Sequence, residues 1–86
     1  MLFYEVKRIR PFDTRQLQAF EHLCKTGSFT RTAKQLLVTQ SAVSHSLRSL
    51  EKEAGCKLIK KQGKQIQLTE AGERLLAFAR PWLEEM

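Results

Sequence analysis

What this chain lacks narrows it first. No apolar run among its 86 residues reaches the roughly 18 that a membrane-spanning helix needs. The opening stretch MLFYEVKRIRPF is too short and too charged for a secretory signal. A soluble, cytoplasmic chain without membrane contact is therefore expected. Only two cysteines occur, Cys24 and Cys56, and they form no CxxC pair. Each stands in an apolar context, which reads as a reduced, buried thiol acting as a small hydrophobe. The two histidines, His22 and His45, fall on different expected helices and join no cluster of carboxylates or cysteines, so no metal site is expected. There is no nucleophile–base pair and no glycine-rich phosphate loop, and the GKQ at Gly63–Gln65 is not a Walker motif. The length leaves little room for a second domain or for a catalytic cleft between two lobes. Neither a cofactor nor an enzymatic activity is expected. Repeats and low-complexity tracts are also missing.

Positive charge, by contrast, is plentiful, and its placement matters more than its amount. The net charge is +6. Residues 28–64 hold eight basic side chains against two acidic ones, whereas the rest of the chain holds seven of each. The entire excess therefore lies mid-chain. A localised basic field suits a polyanion, although alone it is equally a solvated basic face.

The hydrophobic pattern divides the chain into helices and one hairpin. Residues 1–12 form an N-terminal extension with no convincing period, ended by Pro11; a disordered arm, a strand and a short helix all remain open. Asp13 or Thr14 can cap a first helix, in which Leu17, Phe20, Leu23 and Cys24 recur at helical spacing and Gly27 is the stop. Ser28 caps a second helix, with Phe29, Ala33, Leu36 and Leu37 inward and Arg31, Lys34 and Gln35 outward. Val38 is expected to fill the space between helices, and Thr39 to cap the next. The third helix runs from Gln40 to Ala54, with Gly55 as its stop. Val43, Leu47, Leu50 and Ala54 form its packing stripe.

That third helix poses a question. Its stretch TQSAVSHSLRSLE is rich in Ser, Thr, Gln and His, which favour caps and turns over helix interiors. Gln40, Ser41, Ser44, His45 and Arg48 form a second stripe, offset from the apolar one. Short donors and acceptors without bulky cover suit a surface that something approaches closely. Two strands, at Lys57–Lys60 and Gln65–Leu68, should then flank a tight turn over KQGK, with Leu58, Ile66 and Leu68 inward and the lysines outward. Thr69 caps a last helix carrying a heptad-like seam of Leu75, Ala79, Trp82 and Met86, with Leu76 and Leu83 beside it. Pro81 predicts a kink or an early end.

Two helices joined by a tight turn, followed by a basic hairpin, make a winged helix-turn-helix. The fold expected is mostly α: a three-helix core plus a two-stranded β wing over 13–68, then a linker and dimerisation helix over 69–86. In this motif the second helix of the pair enters the major groove of double-stranded DNA, a groove about 12 Å wide that just admits a helix. Short polar side chains let the backbone come near the base edges. Gln40 can bond adenine, and His45 a guanine acceptor or a phosphate. Ser41 and Ser44 can serve either, and Arg48 is better placed for phosphate. Ser28, Thr30 and Arg31 put a helix N-terminus and a cation beside the sugar–phosphate backbone, and Thr39 sits at the mouth of the next helix. Lys60, Lys61 and Lys64 make the wing basic.

The segments GSFTRTAKQL, TQSAVSHSLRSLE and LTEAGERLL, in this order and at this spacing, resemble the N-terminal DNA-binding domain of LysR-type transcriptional regulators over about residues 14–80. The resemblance implies a winged helix-turn-helix, a long linker helix that dimerises, and a C-terminal effector-binding domain. It implies DNA contacts at Gln40, Ser41, Ser44 and His45, a wing at an adjacent minor groove, and an interrupted inverted-repeat operator. A small-molecule effector would bind a C-terminal domain absent from this chain. Three departures stand out. Ser41 occupies a position often held by proline, and His45 one often held by arginine. About ten residues also precede the usual family start.

Two competing readings can be tested by structure. A winged helix can serve as a protein-interaction module without specific DNA binding, since fold alone does not fix function. Such a module would expose apolar side chains on the third helix. The last helix offers a similar choice. A homodimer through Leu75, Leu76, Ala79, Trp82, Leu83 and Met86 is expected; the alternative packs Leu76, Trp82 and Leu83 onto the first helix and N-terminal arm of the same chain.

Overall fold

The computed structural model describes residues 13–63 and 65–84, with only the backbone of Trp82 and Glu84. Four helices and a hairpin follow in order: α1 Thr14–Thr26, α2 Phe29–Leu36, α3 Gln40–Ala54, β1 Ile59–Gln62, β2 Gln65–Leu68 and α4 Glu70–Glu84. This is the mostly helical winged arrangement expected from the sequence. The N-terminal extension, residues 1–12, lies outside the described residues.

Side-chain caps fix the helix starts. Asp13 accepts the Arg15 N–H at 2.8 Å, Ser28 the Arg31 N–H at 3.1 Å and Thr39 the Ala42 N–H at 3.0 Å. Gly27 and Gly55 end α1 and α3 in left-handed conformations. The core forms where α1 crosses α3 and the wing root. Phe20 and Leu23 of α1 meet Leu47 and Leu50 of α3, Leu58 and Ile59 at the root, and Leu76 of α4. Burying a leucine of this kind contributes about 1.5–3 kcal/mol.

Among the described residues, one buried side chain is polar. Thr32, fully buried, lies 2.8 Å from the Thr26 hydroxyl, which also donates to the Ser28 carbonyl at 3.0 Å. Thr26 has a single proton, so Thr32 is the donor between them. This small network ties the end of α1 to the middle of α2, and the apolar pattern gave no hint of it.

The hairpin departs from expectation. Antiparallel pairing sets Ile59 against Leu68 and Gln62 against Gln65, with Gly63 in the turn. The first strand therefore starts two residues later than the pattern predicts. Leu58 is buried as expected, but its N–H is taken by a side chain rather than by a strand.

Other corrections concern apolar residues. Leu37 is not inward: it is 91% exposed and adopts φ +59° at the end of α2. Val38 is 46% exposed rather than packed between helices. Both lie where the chain reverses, and the backbone of the reversal sets their direction. Cys56 is exposed rather than buried, and Cys24 is half-buried.

α4 runs through Pro81 to Glu84 without the early end. Its first turn docks on the wing root. Thr69 donates to the Lys57 carbonyl at 2.7 Å, and its own N–H reaches the Leu58 carbonyl at 3.0 Å. Gly72 lies so close to Leu58 that a methyl group there would collide with its carbonyl oxygen. The division at 68/69 thus cuts through packed structure. Leu76 and Ala79, counted in the dimer seam, are 6% and 1% exposed within the chain. They belong to the core, as the same-chain alternative requires for Leu76. Leu75 and Leu83 are half-buried, whereas the Trp82 side chain and Met86 lie outside the described residues.

Candidate nucleic-acid interface

The candidate interface is built on α3. Gln40, Ser44 and Arg48 recur every four residues, as do Ser41 and His45, so each set lies along one face of the helix. Gln40, Ser41, His45 and Arg48 are exposed, and Ser44 is half-buried beside the wing. The full set of exposed α3 residues is Gln40, Ser41, His45, Arg48, Lys52 and Glu53. None is apolar, which is the opposite of what a protein-docking helix would present.

Neighbouring elements hold this face in place. The Thr30 hydroxyl donates to the Gln40 Oε1 at 3.1 Å, which links the exposed start of α2 to the first residue of α3. That bond engages the Gln40 carbonyl oxygen rather than its amide NH2 and orients the carboxamide. Ser28 and Thr39 spend their acceptor oxygens on capping, so in the domain itself they shape the helix starts. Arg31, in the first turn of α2, is exposed.

The wing adds a cationic flank. A cleft of about 450 Å³ separates it from α3, and Phe29, Ser44, Arg48, Glu51, Lys57 and Lys61 are among its walls. The Lys61 ammonium lies 5.6 Å from the Phe29 ring centroid, a cation–π contact that reaches from β1 to α2. Lys60, also at the cleft, is exposed, and Lys64 lies outside the described residues. Arg48, Lys60 and Lys61 are thus brought together by the fold, although Lys60 comes 12 positions after Arg48 in the chain. Lys57, Phe29 and Glu51 were not foreseen as site residues. Glu51 had a detectable signal: an acid four residues after Leu47 in a basic segment.

His22 Nδ1 lies 2.9 Å from the Gln18 carbonyl on α1, and His45 stands exposed on α3. Among the described residues no three His, Cys, Asp or Glu side chains gather in a way that could hold a metal ion. No helix among them is long and apolar enough to cross a membrane. Burial pushes the Cys24 thiol up to about 11; Arg80 opposes the rise and Glu21 adds to it.

Comparison with known proteins decides the family. Residues 14–73 match the model of the bacterial regulatory helix-turn-helix proteins of the lysR family. The chain belongs to the LysR family. The RuBisCO operon transcriptional regulator of Allochromatium vinosum is 44% identical over 66 residues, which is 77% of this chain and 22% of that protein. The chain therefore spans less than a quarter of the length of such curated LysR-family relatives. A LysR-family transcriptional regulator from Eggerthella lenta superposes with a TM-score of 0.72 at 36% identity, over 81% of this chain and 99% of that one. The CbnR DBD–DNA complex superposes with a TM-score of 0.79 at 33% identity, over 85% of this chain and 84% of that one.

Proposed function

We propose that this chain binds double-stranded DNA sequence-specifically, as the DNA-binding domain of a cytoplasmic LysR-type transcriptional regulator. α3 enters the major groove and offers Gln40, Ser41, Ser44 and His45 to base edges. Ser28, Thr30 and Arg31 at the start of α2, Thr39 at the start of α3, and Arg48 face phosphates. The wing carries Lys60, Lys61 and Lys64 to the adjoining minor groove. Two copies pair through α4 on an interrupted inverted repeat. A small-molecule effector acts on a C-terminal domain outside this chain.

The observation that carries this reading is the exposed face of α3, which is wholly polar or charged and flanked by a cationic cleft. Long apolar side chains would hold the backbone off the bases; short donors and acceptors do not. The likeness to CbnR, whose domain has been solved with DNA, supports the same reading.

Selection of binding sites from random duplexes tests it. One half-site motif should be enriched, and affinity for it should fall steeply as salt rises, because phosphate contacts release counterions. Enrichment of no motif, with equal affinity for all duplexes, would reject sequence-specific recognition.

A further inference from the structure

Side chains alternate between the two faces of a strand, so Ile59 and Lys61 share one face of β1 and Lys60 takes the other. Ile59 is buried in the core, and Lys61 pairs across the hairpin with Ile66, which is half-buried against that core. Lys61 is exposed, as the lysines were expected to be, but its strand position is the one that faces the helices. An apolar residue would suit that position better.

The lysine finds an aromatic ring there. Its Nζ lies 5.6 Å from the Phe29 ring centroid. Phe29 is the first residue of α2, directly after the N-cap Ser28. It is half-buried and packs against the core, which holds the ring in place. No carboxylate among the described residues lies within ion-pair distance of Lys61. Glu51, the acid of the same cleft, is taken by the Leu58 N–H and Lys57. The Lys61 charge is therefore steadied by the ring and neutralised by no acid. A lysine carries large rotamer freedom, and fixing it at an interface costs affinity. A lysine already seated on a ring has lost part of that freedom on folding, yet keeps its charge for an anion.

We infer that Phe29 is a positioning residue for DNA binding: it presets the Lys61 ammonium in the cleft that Arg48 also lines, where a phosphate of the duplex can meet it. This role rests on the DNA-binding reading. Phe29 acts through Lys61 and not by its own contact with the duplex. Lys60, on the other face of the same strand, serves as the internal control.

The test measures affinity for the selected duplex and for a scrambled one at several salt concentrations. Phe29→Leu keeps an apolar side chain against the core but removes the ring. It should weaken both duplexes about two- to ten-fold, with the log–log salt slope unchanged because the charge is still present. Phe29→Tyr keeps the ring and should restore the affinity. With Lys61→Met already in place, Phe29→Leu should cost nothing further; with Lys60→Met in place, it should cost its full amount. A merely structural role would cost the same in both backgrounds, and that result would overturn the inference. In the free protein, the ε-methylene protons of Lys61 should resonate upfield of those of Lys60, shifted by the ring current, and Phe29→Leu should abolish the difference. Equal shifts for the two lysines in the wild type would also overturn it, and this measurement decides if Phe29→Leu does not fold. A wild-type domain that binds no duplex would remove the DNA-binding reading and the positioning role with it, while the proton shifts still report whether the ring contact forms.

Discussion

The carboxylate of Glu51 accepts the backbone N–H of Leu58 at 2.8 Å, seven residues further along the chain. The same Oε2 lies 3.5 Å from the Ile59 nitrogen, and Oε1 lies 3.8 Å from the Lys57 ammonium. The Glu51 side chain is only 10% exposed, whereas that of Lys57 is 82% exposed. The backbone bond therefore dominates, since an ion pair to so exposed a lysine contributes little. Glu51 clamps the wing root to the helix proposed to read DNA. Glu51→Ala should lower stability by about 1–3 kcal/mol, because it leaves the buried Leu58 N–H without a partner. Glu51→Gln keeps an acceptor and should lose less, and Lys57→Ala should stay within about 0.5 kcal/mol. Urea unfolding compares the three, and faster amide exchange at Leu58 in Glu51→Ala would locate the loss. Equal effects of Glu51→Ala and Lys57→Ala would make the ion pair the stabilising element instead.

The link between Thr30 and Gln40 bears on recognition. If Gln40 reads a base, Gln40→Ala should cost about 1–3 kcal/mol at the preferred site and relax the preference at one base pair. Non-specific binding should hardly change. Thr30→Val removes the hydroxyl that orients the carboxamide, so it should weaken the same preference by less. Titrations on the selected site and on a scrambled duplex check both. Parallel losses on the two duplexes would make Gln40 a phosphate-positioning residue.

The wing predicts a different signature. Lys60 and Lys61 stand on one strand, but Lys61 leans on Phe29 while Lys60 does not share that contact. Lys60→Ala should weaken all duplexes about equally and flatten the log–log salt slope by about 1. Lys61→Ala should do the same and also cost a little stability through the lost cation–π contact, about 0.5–1 kcal/mol. An unchanged slope in both variants would remove the wing from the interface.

The parts of the fold that were legible in the sequence are those set by local chemistry. Ser28, Thr39, Gly27 and Gly55 mark helix ends because each satisfies backbone groups within a few residues. The limits of α3 follow from two of them. Features that depend on distant partners were not legible. The start of β1 shifts because the Glu51 carboxylate, not a neighbouring strand, takes the Leu58 N–H. Leu37 looked like a core residue by its type, yet its direction follows from the chain reversal after α2. Leu76 and Ala79 fit a dimer seam by spacing, but α4 lies against α1, and periodicity cannot say whether an apolar stripe meets its own chain or another. Likewise, Gln40, Ser44 and Arg48 could be placed on one face from spacing alone, whereas the cleft that Ser44 and Arg48 share with Lys57 and Phe29 needed the tertiary fold.

The two thiols should behave unequally. Cys24 is held near 11 by burial, so at pH 8 it carries about a hundred-fold less thiolate than an ordinary thiol of pKa 9. Cys56 is exposed. Alkylation of the native protein should therefore modify Cys56 quickly and Cys24 slowly, with Cys24 reacting fast only after unfolding. The raised value also has a stability consequence. The unfolded chain gives up this proton first, so stability from the neutral Cys24 is complete below pH 9 and declines as pH rises from 9 towards 11. Cys24→Ala should flatten that alkaline slope in thermal melts taken across the range.

The proposed pairing through α4 now has a narrower test than the sequence alone allowed. Leu76 and Ala79 are buried against their own chain, so Leu76→Glu should unfold the domain rather than split a dimer. Leu75 and Leu83 are half-buried and lie eight residues apart, two positions along one side of the helix. A partner helix that packs on this side would take both from water, and a two-fold pair would place the two α3 helices on successive half-sites. Leu75→Gln together with Leu83→Glu should therefore leave the domain folded by circular dichroism while shifting its sedimentation from dimer to monomer at micromolar concentration. Affinity for a duplex with two half-sites should fall steeply, and affinity for a single half-site should hold. A wild-type domain that sediments as a monomer, or a double variant that stays dimeric, would place the pairing surface elsewhere or remove it.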